Sequence, residues 1–534
     1  MSRRSAAALI LCAALAALAR AQYLLPDDRA YRDLEALQVR GHLVVLATTN
    51  KPYTRAQVAA GLVRLAARRE SLSPYERQLL DRLLLAFAAN LPDSLVPRGT
   101  RRERWVCADV NPRLVGQYHP MRVEEPRAHR LPAVVLTLGD TLVPRGPVRA
   151  INTVDLAVRV APRLSVGQRL ELDTDGTGDN NYSGRLTTYR AGATGEVSVA
   201  YVLYEPPWGA VAFGRQPLVW GPGREGDLML SENAPAPVSL MARADVGWLH
   251  FTGFTGELES EWAGTPPQVA RRFVAGHHLV LTPAPWVELG VAETVVYGGP
   301  DRGISLKWSN PLVWYYPEEA NARPADENLF AAADVVLRPV RGAETYVSFL
   351  ADDIALDRKS PDRIAWTVGL RLEAPFGWDR AGFGAEYTRL TRWIYNYANN
   401  VAYERYSNRR AVLGHFLGPD GDAVFADAHW EGPQGVRLTL LGTHRRLGET
   451  RFTSRFPVDV PGTNFGHRHE KFPSGIVETT TSGELMVAAP PVHGAWLTVG
   501  LVARAVENAD NKVAPRRWDL GARVDLDWHI PVRF

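Results

Sequence analysis

The hydrophobic pattern at the end of the chain has a period of two. From Leu520 to Phe534 an apolar side chain stands at every second position, and Arg523, Asp525 and Asp527 stand between them. Alternate side chains of a strand point to opposite faces of its sheet, so this segment is predicted to be a strand with one apolar and one charged face. A soluble sandwich that keeps the charged face in water would show the same pattern.

The alternation recurs in pairs of segments that are joined by short turns. Eight such pairs predict hairpins, at residues 154–172, 202–213, 240–254, 279–291, 335–347, 370–387, 430–441 and 485–502. Tight turns between alternating segments are typical of β-hairpins. Together with one strand within residues 104–118 and the final strand, the pattern predicts about 16–18 strands.

The connections between successive hairpins are much longer than the turns within them. They are polar or aromatic, and they lie at residues 173–195, 307–328, 392–422 and 452–475. Short turns at one end and long loops at the other are typical of outer-membrane barrels, whose short turns face the periplasm. We therefore predict a mainly β protein, a large antiparallel transmembrane β-barrel. Its apolar strand faces would contact membrane lipid, and its charged faces would line a wet interior.

The residues before the barrel have a helical period. Thr54 with Gln57 and Ser73 with Glu76 have the spacing of capping boxes, and apolar residues follow them at helical intervals. Residues 22–95 are therefore predicted to form a small α-helical module, and residues 96–534 the barrel.

The first residues have the order of a secretory signal peptide. Two arginines precede an apolar run that ends at Ala19, and Ala21 completes a small-residue cleavage site. Residues 1–21 are predicted to be removed on export to the outer membrane. The terminal Phe534, with Trp528, Ile530 and Val532 before it, looks like the signal that the barrel insertion machinery reads.

The charge balance and the cysteine count bear on nucleic-acid binding and on disulfide formation. Lys+Arg 61 nearly balance Asp+Glu 58, and a net charge of +3 gives no indication of nucleic-acid binding. Cys12 would leave with the signal peptide, so the mature chain keeps only Cys107 and forms no internal disulfide.

One stretch of the sequence resembles the signature of a known protein family. The segment FGRQPLVWGPGREGDLMLSENAPAPVSL, from Phe213 to Leu240, resembles the signature of the capsule assembly Wzi family. The matching positions are Gly214, Arg215, Trp220, Gly221, Pro222, Gly223, Leu230, Ser231, Asn233, Ala234 and Pro235. A second match is at Asn310, Pro311, Asn321, Asn328 and Asp334. The resemblance implies an outer-membrane barrel with a helical bundle at its periplasmic end, acting as a lectin that holds capsular polysaccharide at the cell surface.

The residues of the signature leave its role open. Gly and Pro in WGPG predict a tight turn, and Arg215 is a candidate for an ion pair with an inward carboxylate. We expect a loop of this kind to have a structural role, as a lumen plug or a constriction, and the alternative is contact with a ligand.

Two long loops have the composition of a sugar-binding surface. Such surfaces combine aromatic faces for pyranose rings with amides and charged groups for hydroxyls. The candidate glycan-binding residues are Trp314, Tyr315, Tyr316, Tyr397, Asn399, Tyr403 and Arg405. The alternative for such aromatic residues is a girdle at the membrane interface, and for those beside strand ends, such as Trp393, we expect the girdle.

No motif in the sequence indicates catalysis or a cofactor. Carboxylate pairs such as Asp352 with Asp353 and Asp525 with Asp527 are expected to line the lumen. His467, His469 and Glu470 are close in sequence, but a metal site would need further ligands. The expected function is non-catalytic attachment or assembly of a surface polysaccharide, capsular or exopolysaccharide. The alternatives are a diffusion or uptake porin and a surface enzyme.

Overall fold

The structure, a computed structural model, describes residues 22–96, 106–118, 148–173, 194–264, 266–321, 327–354, 361–396, 401–455 and 471–533. The predicted cleavage site at Ala19 and Ala21 lies outside these ranges. So do Tyr397, Asn399, the cluster of His467, His469 and Glu470, and the terminal Phe534. Among the described residues, no helix has the length and apolarity that crossing a bilayer requires.

The described residues contain 18 antiparallel strands that close into one barrel. In chain order the strands β1 to β18 are Val106–Tyr118, Val148–Ala161, Leu164–Asp173, Thr194–Tyr204, Gly209–Arg215, Val238–Val246, Leu249–Ala263, Gln268–Ala284, Val287–Gly299, Glu327–Val340, Ala343–Asp353, Arg363–Glu373, Ala381–Leu390, Gly421–Glu431, Arg437–Leu447, Glu478–Ala488, Ala495–Glu507 and Arg517–Trp528, the last continuing as Ile530–Arg533. Neighbours in the chain pair with each other, and β18 pairs with β1 to close the barrel. The predicted strand number and all eight predicted hairpins are confirmed.

The final strand has the orientation that its pattern predicts. Leu520, Val524 and Leu526 are exposed on the outer face of the barrel, whereas Arg523 and Asp525 are buried on the inner face. Because the whole barrel follows this alternation, its outer wall is an apolar belt and its inner wall is polar.

Exposed tryptophans collect at the end of the barrel that carries the short turns. They lie within or next to these turns, at Trp208, Trp248, Trp286, Trp378, Trp430 and Trp528. A ring of this kind is the aromatic girdle that a barrel places at the membrane interface.

Within residues 22–96 the structure has three α-helices: α1 is Ala30–Val39, α2 is Arg55–Ala66 and α3 is Pro74–Ala86. Both predicted capping boxes are present, at Thr54 for α2 and Ser73 for α3. The apolar faces of the helices meet in a core of their own, which includes Leu37, Val58, Leu62, Leu80, Leu83 and Phe87.

The helices dock against the short-turn end of the barrel. Arg40 lies 3.1 Å from Glu373, and Gln38 donates a hydrogen bond of 2.5 Å to Glu344. Both carboxylates stand beside short turns, at the ends of β12 and β11. The boundary at residues 95 and 96 stays a prediction, because residues 97–105 are outside the described ranges.

Candidate functional site

The signature stretch runs through the interior of the barrel. Residues 216–237 connect β5 to β6, and most of them are buried. Val219–Trp220 pairs as a short strand with Asn50–Lys51, which lies between α1 and α2. The Trp220 ring packs against the rings of Phe254 and His278 on the inner wall, with centroids 5.4 and 5.2 Å away. The stretch therefore ties the helical module to the barrel wall.

The WGPG turn wraps around a buried carboxylate. Gly221 has a φ of +138°, and a Cβ there would lie 2.3 Å from Oδ1 of Asp227. The same oxygen accepts a hydrogen bond of 2.8 Å from the Gly223 amide, and the Pro222 carbonyl accepts one of 2.7 Å from Arg371. Glycine is required here because any side chain would displace Asp227.

Three carboxyl groups of this stretch are held in a desolvated environment. Burial raises the pKa of Asp227 to about 7 and that of Glu232 to about 8. Burial, together with the Glu386 carboxylate, also raises the pKa of Glu225 to about 8. Desolvation disfavours the charged form of an acid, so these groups gain or lose charge near neutral pH.

The second half of the signature binds a long external loop. Ser231 Oγ donates a hydrogen bond of 2.6 Å to the carbonyl of Gly414, and Asn233 Nδ2 donates one of 2.9 Å to the carbonyl of Val412. The Pro235 carbonyl accepts a hydrogen bond of 2.8 Å from Asn408. The loop that joins β13 to β14 is thereby held inside the barrel.

Two tyrosines of that loop also donate hydrogen bonds to the signature stretch. The Tyr395 hydroxyl donates a hydrogen bond to the Leu228 carbonyl at 2.6 Å, and the Tyr406 hydroxyl donates one to the Met229 carbonyl at 2.7 Å. Their rings stack with centroids 5.6 Å apart. Trp393 is also buried, so the girdle interpretation for this residue is wrong.

Gly214 and Arg215 fix the point where the signature leaves the wall. Gly214 has a φ of +132°, and a Cβ there would lie 2.1 Å from the Ala200 carbonyl oxygen. Arg215 donates a hydrogen bond of 2.7 Å to the Val197 carbonyl, and its guanidinium lies 3.8 Å from Glu196. Arg215 thus links two neighbouring strands.

The candidate aromatic residues at 314–316 do not lie at the mouth of the barrel. Tyr315 and Tyr316 begin the short helix α5 (Tyr315–Ala320), and Trp314 is its N-cap. This helix and the preceding short helix α4 (Leu306–Ser309) pack on the outer wall. Tyr315 is 1% exposed, and its hydroxyl donates a hydrogen bond of 2.7 Å to the Trp308 carbonyl. The prediction that Tyr315 contacts a sugar is therefore wrong. Trp314 and Tyr316 are exposed beside it.

Tyr403 and Arg405 lie at the long-loop rim. Arg272, buried at the rim end of β8, donates hydrogen bonds of 3.0 and 2.6 Å to their carbonyl oxygens. Both side chains are half-buried, and a Cβ on Gly299, the last residue of β9, would lie 3.9 Å from the Tyr403 ring. Burial lowers the pKa of Arg405, an effect that nearby Glu261 opposes.

Trp262 lies at the long-loop rim, but the sequence pattern did not identify it as a candidate glycan-binding residue. Trp262, next to Glu261, is 70% exposed near the rim end of β7. A β-bulge between Leu258 and Glu261 interrupts the alternation there, so periodicity gives no signal. An aromatic residue beside the acidic run ELESE was the only sequence indication.

The proposed insertion signal and the carboxylate pairs are placed as follows. Trp528 and Ile530 are exposed, and the backbone of Val532 pairs with Ala108. Asp352 and Asp353 lie 3.1 and 3.0 Å from the Arg363 guanidinium. Ion-paired carboxylates of this kind suit a charged inner wall. Within the described ranges, no group of three or more His, Cys, Asp or Glu is arranged to hold a metal ion.

Comparison with known proteins gives one family and several similar folds. The model of the family "Capsule assembly protein Wzi" matches residues 145–517. The solved structure of Wzi from Escherichia coli, an outer membrane protein described as involved in group 1 capsule assembly and as a carbohydrate-binding β-barrel, is similar at TM-score 0.64 and 15% identity, over 96% of this chain and 100% of that one. OccD3 (OpdP) of Pseudomonas aeruginosa is similar at TM-score 0.43 and 9% identity, over 80% and 92%. No curated protein matches the chain.

Proposed function

The chain belongs to the capsule assembly protein Wzi family, and from this premise we propose that it binds surface polysaccharide during attachment or assembly of a capsule or exopolysaccharide. It is an outer-membrane barrel. In this proposal it acts as a lectin, without catalysis. The carbohydrate binding described for its structural relative in Escherichia coli supports the same assignment.

The observation that carries the proposal is the set of hydrogen bonds that joins three segments of the chain inside the barrel. The Asn50–Lys51 strand, the signature stretch and the loop after β13 bond to one another across the interior. A segment that fills the lumen suits a binding protein better than a wide diffusion pore. It also holds the rim segment around Tyr403 in a fixed position, which lowers the entropy lost when a ligand binds.

The rim offers the groups that bind a pyranose. In this proposal Tyr403 supplies an aromatic face, and Arg405 and Glu261, which lie with it around Arg272, supply a donor and an acceptor for hydroxyls. Trp262, which opposes Val269 on the outer face of the wall, supplies a second aromatic face at the same rim. One stacking contact contributes only about 1 kcal/mol. A polysaccharide repeats its unit, so many such contacts act together across a cell surface.

The test is retention of polysaccharide by cells that carry the double variant Trp262→Ala/Tyr403→Ala. We expect polysaccharide to move from the cells into the medium while heat-modifiable migration of the folded barrel stays unchanged. The matched control is Trp378→Ala, which removes a similarly exposed indole, 68% against 70% for Trp262, from the opposite rim. Retention that is equal in the double variant and the wild type would overturn the assignment of the site.

Single-channel recording separates the lectin from the porin. A filled lumen predicts little conductance from the purified protein in a planar bilayer. Large and stable openings, combined with slower solute entry in cells that lack the protein, would replace the lectin with a porin.

A further inference from the structure

A segment of the chain folds over the outside of the barrel. On the outer face of β8 and β9, the side chains of Phe273, Val295 and Tyr297 are fully buried, although outward side chains elsewhere on the wall are exposed. The cover is the connection from β9 to β10, residues 301–321, whose Trp308 and Tyr315 pack into the same apolar cluster. We call this connection the flap.

The flap shields a polar pair on the outer wall. His277 Nε2 lies 3.2 Å from Glu293 Oε2, and both side chains point outward. The amide of Tyr315 donates a hydrogen bond of 2.8 Å to Glu293, and the rings of Trp314 and Tyr315 pack edge-on against His277. A polar pair that includes a carboxylate is costly to expose to hydrocarbon, so these contacts explain why the flap stays on the wall.

The uncovered surface of the flap is mainly apolar, although Asp301, Asn310 and Asn321 are exposed as well. Leu306 is 86% exposed and Leu312 is 82% exposed, and Ile304, Trp314 and Tyr316 are exposed beside them. Neighbouring outward residues of β9, Leu289 and Val291, belong to the apolar belt of the barrel. The exposed face of the flap is therefore continuous with a surface that already contacts lipid.

The height of the flap on the wall places it within the bilayer. Glu293 lies near the middle of β9, which runs from Val287 at the short-turn rim to Gly299 at the long-loop rim. At about 3.3 Å per residue and a tilt of about 40°, Glu293 is ~15 Å above the short-turn rim. The lipid-facing belt of such a barrel is about 25 Å tall. The residues that bind Glu293 thus lie in the outer half of the belt.

We propose that the flap is embedded in the outer leaflet, with Leu306, Leu312, Trp314 and Tyr316 among the acyl chains of its lipids. The occupant of this apolar face is lipid and neither sugar nor a second copy of the chain. Trp314 and Tyr316 then anchor the protein in the membrane, a role different from the glycan contact that their sequence composition indicates.

The experiment measures the environment of a spin label at Leu312. Leu312→Cys is made in a Cys107→Ser background, labelled with a nitroxide, and the full-length barrel is refolded into phosphatidylcholine vesicles. Power saturation then compares collisions with oxygen, which enters hydrocarbon, and with a water-soluble nickel chelate. Val335→Cys on the exposed outer belt is the lipid control, and Lys512→Cys in the loop after β17 is the water control.

We expect the label at residue 312 to match that at residue 335, with oxygen collisions several-fold more frequent than nickel collisions. Nickel accessibility equal to that of residue 512 would overturn the proposal. A label shielded from both reagents, together with cross-linking between copies, would show a subunit interface and would also overturn it. Leu306→Cys repeats the measurement independently, and heat-modifiable migration verifies folding of each variant.

Discussion

At the scale of single residues, adjacent positions of the wall meet opposite environments. Val524 is 46% exposed on the outer face of β18, whereas Asp525 is 5% exposed on the inner face. The Asp525 carboxylate lies 2.5 Å from Arg113 and 3.2 Å from Arg523. Adding a charge at Val524 and removing the charge of Asp525 are therefore both costly, but for a different physical reason in each case.

Val524→Arg should destabilise the folded barrel by about 2–4 kcal/mol, because it places a cation in hydrocarbon near mid-bilayer. Denaturant unfolding in phospholipid vesicles measures the change, and Val524→Leu, which keeps the surface apolar, is the control. No loss of stability in the arginine variant would contradict the assignment of this face to lipid.

The ion pair between Asp525 and Arg113 could not be predicted from the sequence. Alternation alone predicts that Asp525→Asn on the inner edge costs much less than Val524→Arg. The structure revises this expectation, because Arg113 is 412 positions away and no local pattern reveals the pair. Removing a hydrogen-bonded charge costs about 1.5–3 kcal/mol, so the difference between the two variants should be small.

Gly221→Ala should displace the WGPG turn, because the new methyl group would meet Asp227 and the residue would keep a left-handed φ. Strain of this kind costs about 1–3 kcal/mol. Limited proteolysis of residues 216–237 measures the displacement. The control is Gly303→Ala, where a Cβ meets nothing within 4 Å. Equal protease resistance in both variants would argue against a strained turn.

At the scale of elements, short-range sequence patterns predicted the hairpins and helices, because contacts between residues close in the chain stabilise them. The hairpins follow from alternation and tight turns, and the helices α2 and α3 follow from their capping boxes. The destinations of the long loops could not be predicted in this way, because composition does not distinguish a segment inside the barrel from one on its outer wall. Residues 216–237 and the flap are both rich in apolar and aromatic residues, and they occupy opposite sides of the same wall.

The docking of α1 on the barrel gives a prediction at this scale. Arg40→Ala should release α1 from the short-turn end, because Glu373 would remain buried without the Arg40 cation, at a cost of about 3–5 kcal/mol. Hydrogen exchange in Ala30–Val39 measures the release. Adding Glu373→Leu should restore part of the protection, and failure of this rescue would show that Arg40 acts mainly through its other contacts, such as Asp379.

At the scale of the whole molecule, the interior is held by contacts between distant parts of the chain. Three segments from the helical module, the signature and an external loop share one set of hydrogen bonds. Loosening any one of them should therefore affect the other two, and the buried carboxyls of the signature couple this assembly to pH.

The interior assembly should be more stable at pH 5 than at pH 9. Burial holds the pKa of Asp227 near 7 and that of Glu225 near 8 in the folded protein. Unfolded carboxyls release their protons near pH 4. The folded state therefore binds more protons, and the free energy of unfolding falls as pH rises through these values.

Hydrogen exchange in residues 216–237, corrected for its intrinsic pH dependence, tests this prediction. Protection should decrease between pH 5 and pH 9, and the Asp227→Asn/Glu225→Gln variant should lose much of that dependence. Exchange in α2 serves as the reference. Protection that increases with pH would contradict the assignment of these two carboxyls.

The seam between β1 and β18 has a consequence for the order of assembly. These strands are the paired neighbours furthest apart along the chain, so closing them carries the largest loop-closure entropy, whereas each hairpin can form locally. Asn50–Lys51 and Val219–Trp220 pair inside the wall, and a sealed barrel would admit them only through its ends. We expect the last and slowest step to be the zipping of two free edges around an interior that is already filled. A nascent barrel would thus stay open between β1 and β18 until Asn50–Lys51 and Val219–Trp220 have paired in its interior.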